Sequence, residues 1–264
     1  REPALVGAAI GQDIPQTCLP ADMFQFNDWG DSTALHAQVA NLAEALAGEF
    51  GAEPREAQDK LARLYLHCGF GVEAQAVIAA DNAQSQDRIV IPQLAGLVDD
   101  YDGTYSLIAS QSGCDAPAAL WAFLVSPDQI NDESRNHILQ TLFALPQPLR
   151  SHIAPRISRS FLEIGDAETA ERALQAATET TVIEGHDAAS TRAMIAEDLD
   201  QPDVAISVLA DEASNNARTT PESLIRLIEL GLQNGVPVAE ADLILAAAMR
   251  QEHRDEPIAD ELAI

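Results

Sequence analysis

The chain has 264 residues, 47% apolar and 22% charged, a balance that allows one extended or two compact globular domains. Its formal charge of −27 comes from 42 acidic residues against 15 basic ones, with Lys60 the only lysine. That field argues against nucleic acid or anionic lipid as partner, since both need clustered Lys and Arg. Aromatic residues reach only 5% and alanine is abundant, which favours close-packed helices over pleated strands.

Residues 1–31 carry Pro3, Gly7, Gly11, Pro15, Pro20 and Gly30 without a sustained period, and read as an extended arm with at most short helical turns. In 32–50, Leu35, Val39, Leu42, Leu46 and Phe50 recur at steps of three and four. This predicts a helix with one apolar stripe, capped by Asp31 or Ser32 and ended by Gly51. A second helix is predicted over 54–68 with Leu61, Leu64 and Tyr65 inward, broken by Gly69 and Gly71 before a partner helix carrying Ala74, Val77 and Ile78. So short a turn makes the two helices pack antiparallel, each covering the other's stripe.

Residues 84–155 are less regular, with Pro92, Gly96, Gly103 and Gly113 interrupting the period, although 116–125 and 131–145 still read as helices. The run Asp99-Asp100-Tyr101-Asp102-Gly103 approximates a calcium loop. Val98 and Ala109 stand where its first and twelfth ligands belong, so it reads as a solvated turn. Pro146, Pro148 and Pro155 then mark the passage into a regular block. There Phe161, Leu162, Gly165 and Ala170 repeat the layout of Tyr65, Leu66, Gly69 and Ala74 residue for residue. Turn positions Gly165, Asp200 and Gly235 follow at intervals of 35 residues. Pro202 and Pro221 fall at first helical positions, with Thr220 available as cap and Glu222 in the first turn. The expected organisation is an arm, 1–31, an irregular helical-hairpin block, 32–145, and a repeat block, 146–264, in one continuous stack.

The units marked by Leu61, Leu64, Tyr65, Gly69 and Ala74, by Phe161, Gly165, Ala170 and Leu174, and by Asp200, Ala205 and Leu209 resemble tetratricopeptide repeats, whose period is about 34 residues. The family's tryptophan is absent from them, and the resemblance covers about half the chain. It implies an all-α fold, a right-handed α-α superhelix of antiparallel helix hairpins. The first helices of successive hairpins would line a concave groove that holds peptides or partner proteins. The physical reason stands without the family: a hairpin buries one apolar face internally and must stack on neighbours to bury the other. The expected function is a non-catalytic protein- or peptide-binding scaffold. One alternative is an accessory superhelical domain of a larger cell-envelope enzyme similar to lytic transglycosylases. Their catalytic Glu-Ser has counterparts here in Glu133-Ser134 and Glu222-Ser223, but neither is followed by the glycine-rich Leu-Met-Gln segment that accompanies it. The other is a self-associating structural protein; the ending Leu262-Ala263-Ile264 leaves open whether the last stripe is capped or offered to a partner.

Arg63, Arg159, Arg192 and Arg226 each precede a turn marker by six to nine residues, which places them on first helices. Facing a groove, they form a cationic ladder that forks onto an acidic peptide; facing outward, they pair with neighbouring carboxylates. Cys18 and Cys114 lie in Pro- or Gly-flanked segments and are the pair expected to form a disulfide in an exported chain. Cys68 falls on an apolar stripe and reads as a buried free thiol. That pairing, with a chain beginning at Arg1, points to a trimmed or mature periplasmic or otherwise exported protein, the cytoplasm being the alternative.

The cysteines and the six histidines have no metal-ligand spacing, and no cofactor is implied. No apolar run approaches the ~20 residues of a membrane span. No G-x-S-x-G elbow occurs, and Gly69-Phe70-Gly71 follows a helix where a dinucleotide loop would follow a strand. Trp29 and Trp121 read as core residues, and Asp198-Leu199-Asp200 as helix-terminus charges.

Overall fold

The computed structural model describes residues 18–47, 54–79, 86–101, 103–114, 116–130, 132–178, 186–214 and 219–263. Among the described residues every regular element is helical and no strand occurs. The α-helices are α1 (Leu35–Ala47), α2 (Pro54–His67), α3 (Gly71–Ala79), α4 (Gln86–Val98), α5 (Ser106–Ala109), α6 (Ala116–Val125) and α7 (Asp132–Ala144). They continue with α8 (Gln147–Glu163), α9 (Ala167–Thr178), α10 (His186–Asp198), α11 (Pro202–Ala213), α12 (Pro221–Asn234), α13 (Glu240–Glu252) and α14 (Ile258–Glu261).

Five helices, α2, α4, α8, α10 and α12, end in the same way. Gly69, Asp100, Gly165, Asp200 and Gly235 adopt left-handed φ values of 80°, 57°, 74°, 56° and 69°. The N–H of the following residue then donates to the carbonyl five residues earlier: Phe70 to Tyr65, Tyr101 to Gly96 and Asp166 to Phe161 at 2.9 Å, Gln201 to Ala196 and Val236 to Gly231 at 2.8 Å. This is the Schellman turn, which satisfies carbonyls that the helix end leaves without donors and reverses the chain tightly. The next helix therefore starts within a few residues, at Gly71, Ser106, Ala167, Pro202 or Glu240. The turn positions read from the sequence, Gly69, Gly165, Asp200 and Gly235, are the ones in left-handed conformation; Asp100 adds a fifth, 31 residues after Gly69. At the other end of α12, Thr220 accepts from the Ser223 N–H, and Pro202 and Pro221 open α11 and α12.

Each of these first helices packs on its hairpin partner, and α2 on α4, α4 on α6, α6 on α8 and α8 on α10. The long helix α8 also touches α2 and α4. One apolar cluster runs from Met23 to Ile195 and includes Trp121, Phe123 and Phe161. A second runs from Ala193 to Leu262. Helix α10 contributes to both, so it joins the two, while the passage from α7 to α8 near residue 145 lies inside the first. Alanines such as Ala74, Ala170 and Ala205, each fully buried, allow the helices this close approach. Gly71 is closer still: a Cβ there would lie 2.3 Å from the Ala95 carbonyl oxygen, so the start of α3 rests on the backbone of α4.

Several expectations need correction. Residues 18–29 contain short helical turns, as allowed for, but are docked and not extended: two 3₁₀ turns, Ala21–Phe24 and Phe26–Trp29, bury Met23, Phe24 and Phe26 in the first cluster, while residues 1–17 lie outside the described residues. The Phe26 ring lies 4.3 Å from Trp29 and 5.0 Å from Trp121, and its carbonyl accepts from His67 Nδ1 at 2.7 Å. Asn27 donates to the Ala144 carbonyl. Helix α1 begins at Leu35, after a turn in which Asp31 Oδ1 accepts from the Thr33 N–H. The expected stop at Gly51 lies outside the described residues.

Pro92 and Pro155 do not interrupt helices but sit inside α4 and α8. Each removes one backbone donor, a loss offset where the helix is held by its neighbours, and Pro155 is buried. In the acidic run, Asp99 and Asp100 are docked and not simply solvated; Asp102 lies outside the described residues. Asp99 accepts from the Val72 N–H at the start of α3 and lies 3.5 Å from His152, while Asp100 pairs with Arg156 at 2.7 Å.

Candidate functional site

Among the described residues, one surface cleft is formed by the first helices of three consecutive hairpins: Leu162 from α8, Ser190, Ala193, Met194, Glu197 and Asp198 from α10, and Glu222, Ser223 and Arg226 from α12, with Leu209 of α11 in its floor. Its volume is about 640 Å³. Ser190, Ala193, Met194 and Glu197 stand at positions i, i+3, i+4 and i+7, which brings them onto one face of α10. Met194 is 42% exposed there, a large flexible apolar side chain held against solvent.

Charge in this cleft is arranged unevenly. Arg226 of α12 forks onto Glu197 of α10, with Nε donating to Oε1 at 2.9 Å and the terminal nitrogen engaging Oε2, and it also reaches Glu229. The hydrogen bond to Glu197 raises the Arg226 pKa above its usual value, so the guanidinium stays charged and committed to that pair. Asp198 and Glu222 are exposed on the α10 and α12 walls. No basic residue occupies the last turn of α10, where Glu197 and Asp198 lie. A carboxylate at that end opposes the helix dipole, a cost of about 0.3–1 kcal/mol for each exposed acid.

The four arginines do not form one ladder. Arg63 lies 5.6 Å over the Trp29 ring and, with Asp28, Asp31, Gln38, Asn41 and Lys60, lines a separate cleft of about 400 Å³ between α1, α2 and the N-terminal turns. Arg159 donates to Thr191 Oγ1 at 3.2 Å, bridging α8 to α10. Arg192 is half-buried on α10. Arg226 alone of the four lines the α8–α10–α12 cleft, and does so as half of an ion pair. Sequence spacing located these side chains on first helices but carried no information about Glu197, which is 29 residues from Arg226. The acids that do face the cleft, Glu197, Asp198 and Glu222, were missed; acids at a helix C-terminus, where bases are preferred, are the signal that could have found Glu197 and Asp198, whereas Glu222 sits in a first turn, where acids are favoured, and gives none.

A further cleft, about 590 Å³, lies at the last hairpin between Ile228, Leu243, Ala246, Arg250, Arg254 and Leu262. Cys18 and Cys114 are joined in a disulfide with Cα atoms 5.7 Å apart, and the Leu19 N–H donates to the buried Gln111 Oε1 beside it. Cys68 is a free, half-buried thiol whose pKa burial pushes up. Trp121 is fully buried and Trp29 half-buried. Glu222-Ser223 forms the capped first turn of α12. Among the described residues no group of three or more His, Cys, Asp and Glu could hold a metal, and no helix is long and apolar enough to cross a membrane.

Compared with known proteins, the chain matches no protein-family model, no curated protein and no solved structure. The functional argument therefore rests on the cleft itself.

Proposed function

We propose that the chain is a non-catalytic scaffold of tetratricopeptide-like helix hairpins, stacked as a superhelix, that holds a segment of a partner protein in the cleft formed by α8, α10 and α12. The observation that carries this reading is that three successive first helices, joined by Leu209 of α11, supply one surface with an apolar floor, Leu162, Ala193, Met194 and Leu209, and a polar rim. That combination is the usual make-up of a peptide groove: burial supplies affinity and the rim supplies orientation. The shared Schellman ends and the packing of first helices on one another favour the superhelical arrangement. The Cys18–Cys114 disulfide favours an exported protein in an oxidising compartment.

The test is a photo-crosslinking residue in place of Met194 in the full chain, illuminated in extract of the source cells, with the same group at exposed Val72 of α3 as control. Discrete adducts from position 194 alone are expected. Absence of adducts there, or equal labelling from position 72, contradicts the reading. Self-association is a second reading, favoured by the exposure of Leu232, Leu243 and Ile244 at 64%, 47% and 64% on the last hairpin. Sedimentation of the wild type against Leu243→Glu/Ile244→Glu tests it: a monomeric wild type rules it out.

A further inference from the structure

We infer that the segment held in the α8–α10–α12 cleft is cationic and amphipathic, with Lys or Arg flanking an apolar anchor, the reverse of the acidic peptide that a ladder of arginines would select. The inference rests on the scaffold reading above and adds the chemistry of the occupant. Three carboxylates, Glu197, Asp198 and Glu222, line the cleft against one guanidinium, Arg226. That guanidinium is already forked onto Glu197 and reaches Glu229, so it has little capacity left for an incoming carboxylate. Asp198 of α10 and Glu222 of α12 stand exposed and line the same cleft as the apolar floor.

A second observation points the same way. Asp198 occupies the last turn of α10, and Asp200 follows it in left-handed backbone, so acids are concentrated at the negative end of a helix dipole with no base in that turn. Glu197 is offset by its ion pair with Arg226, but the dipole disfavours the exposed Asp198 at this place. A bound ammonium or guanidinium removes the conflict, because it meets both the carboxylates and the carbonyl end of the helix. Local conflicts of this kind collect where a surface is shaped for a ligand. The partner's apolar anchor packs on Met194, whose unbranched thioether adapts to the shape presented. The overall charge of −27 steers such a segment toward the protein, while the acids and apolar residues of the cleft decide where it stops.

Fluorescence anisotropy with two synthetic amphipathic peptides, one Lys/Leu and the other its Glu/Leu counterpart, tests this in about 0.1 M salt, where long-range attraction is screened. The basic peptide is expected to bind the full chain. Asp198→Lys/Glu222→Lys is expected to weaken it about tenfold or more, as loss of charge-assisted contacts requires, with the milder Asp198→Asn/Glu222→Gln between the two. A remote reversal, Glu73→Lys/Asp128→Lys, changes the net charge equally and is expected to weaken binding less than about twofold if the cleft is the site. Equal weakening by the remote pair overturns the inference, because attraction would then be diffuse. Equal or tighter binding of the acidic peptide, or no binding of the basic one, overturns it as well. The scaffold reading falls separately, by absence of crosslinks from position 194.

Discussion

Removing the Cys18–Cys114 disulfide perturbs the unfolded chain far more than the folded one, and the size of the effect follows from where the bond lies. The two residues are 96 apart in sequence, so the bond closes a loop of more than a third of the protein. Loop-closure entropy puts its contribution at about 4.7 kcal/mol, and measured losses for native disulfides run at about 2–5 kcal/mol. In the folded state the segment next to Cys18 keeps other anchors: Leu19 on Gln111, Asn27 on the Ala144 carbonyl, and Phe24 and Phe26 in the core. Cys18→Ser/Cys114→Ser is therefore expected to keep the native fluorescence of Trp29 and Trp121, which lie around Phe26, and to unfold at lower urea. The extrapolated stability should fall by about 2 kcal/mol or more, with a larger dependence on urea because the uncrosslinked chain exposes more surface. As a companion, Phe26→Ala in the oxidised protein should cost about 3–5 kcal/mol, the range for a buried phenylalanine. A loss below about 1 kcal/mol in the disulfide variant would refute the reasoning, since it would mean that unfolded and folded chains are constrained alike.

Arg88 should be the most costly charge to remove: its side chain is 2% exposed and joins α4 to Gln58 and Asp59 of α2 and to the Ile78 carbonyl of α3. Urea unfolding of Arg88→Met is expected to show a loss of about 3–5 kcal/mol, and Arg88→Lys little recovery, because an ammonium lacks the fork; full recovery by lysine would contradict this. Gly71→Ala would set a methyl 2.3 Å from the Ala95 carbonyl oxygen, and its melting temperature should fall, while an unchanged value would show that α3 is not seated on α4 as described. Burial raises the Cys68 pKa, so the folded state favours the neutral thiol. Its stability contribution is present at neutral pH and is lost as pH rises through the raised pKa, and iodoacetamide at about pH 8 should label Cys68 more slowly in native protein than in urea. Equal rates would remove the basis for that shift.

What the sequence made legible was the part dictated by backbone geometry. A helix reversed within two residues needs a left-handed position, and Gly69, Gly165 and Gly235 advertise it because only glycine takes that conformation without cost. Asp200 was found by its interval from Gly165, whereas Asp100, lying in an acidic run, was read as part of a solvated loop. Elements whose stability comes from distant residues were not legible. Pro92 and Pro155 look like breakers locally, and only the packing around α4 and α8 overrides them. The turns Ala21–Phe24 and Phe26–Trp29 have no period to detect, and their partners, Trp121 and His67, are far along the chain. The candidate site failed for the same reason: spacing placed Arg159 and Arg226 on first helices, but the acceptors that occupy them, Thr191 and Glu197, come from another hairpin.

The most direct measurement of the central claim is residue-resolved amide chemical-shift mapping of the full chain on titration with the basic amphipathic peptide. The account predicts perturbations concentrated at the Met194–Asp198 end of α10, the first turn of α12 around Glu222 and the end of α8 near Leu162, saturating with one site. Perturbations centred on the last hairpin around Leu243 and Arg250, or spread over the acidic surface without saturation, would contradict it.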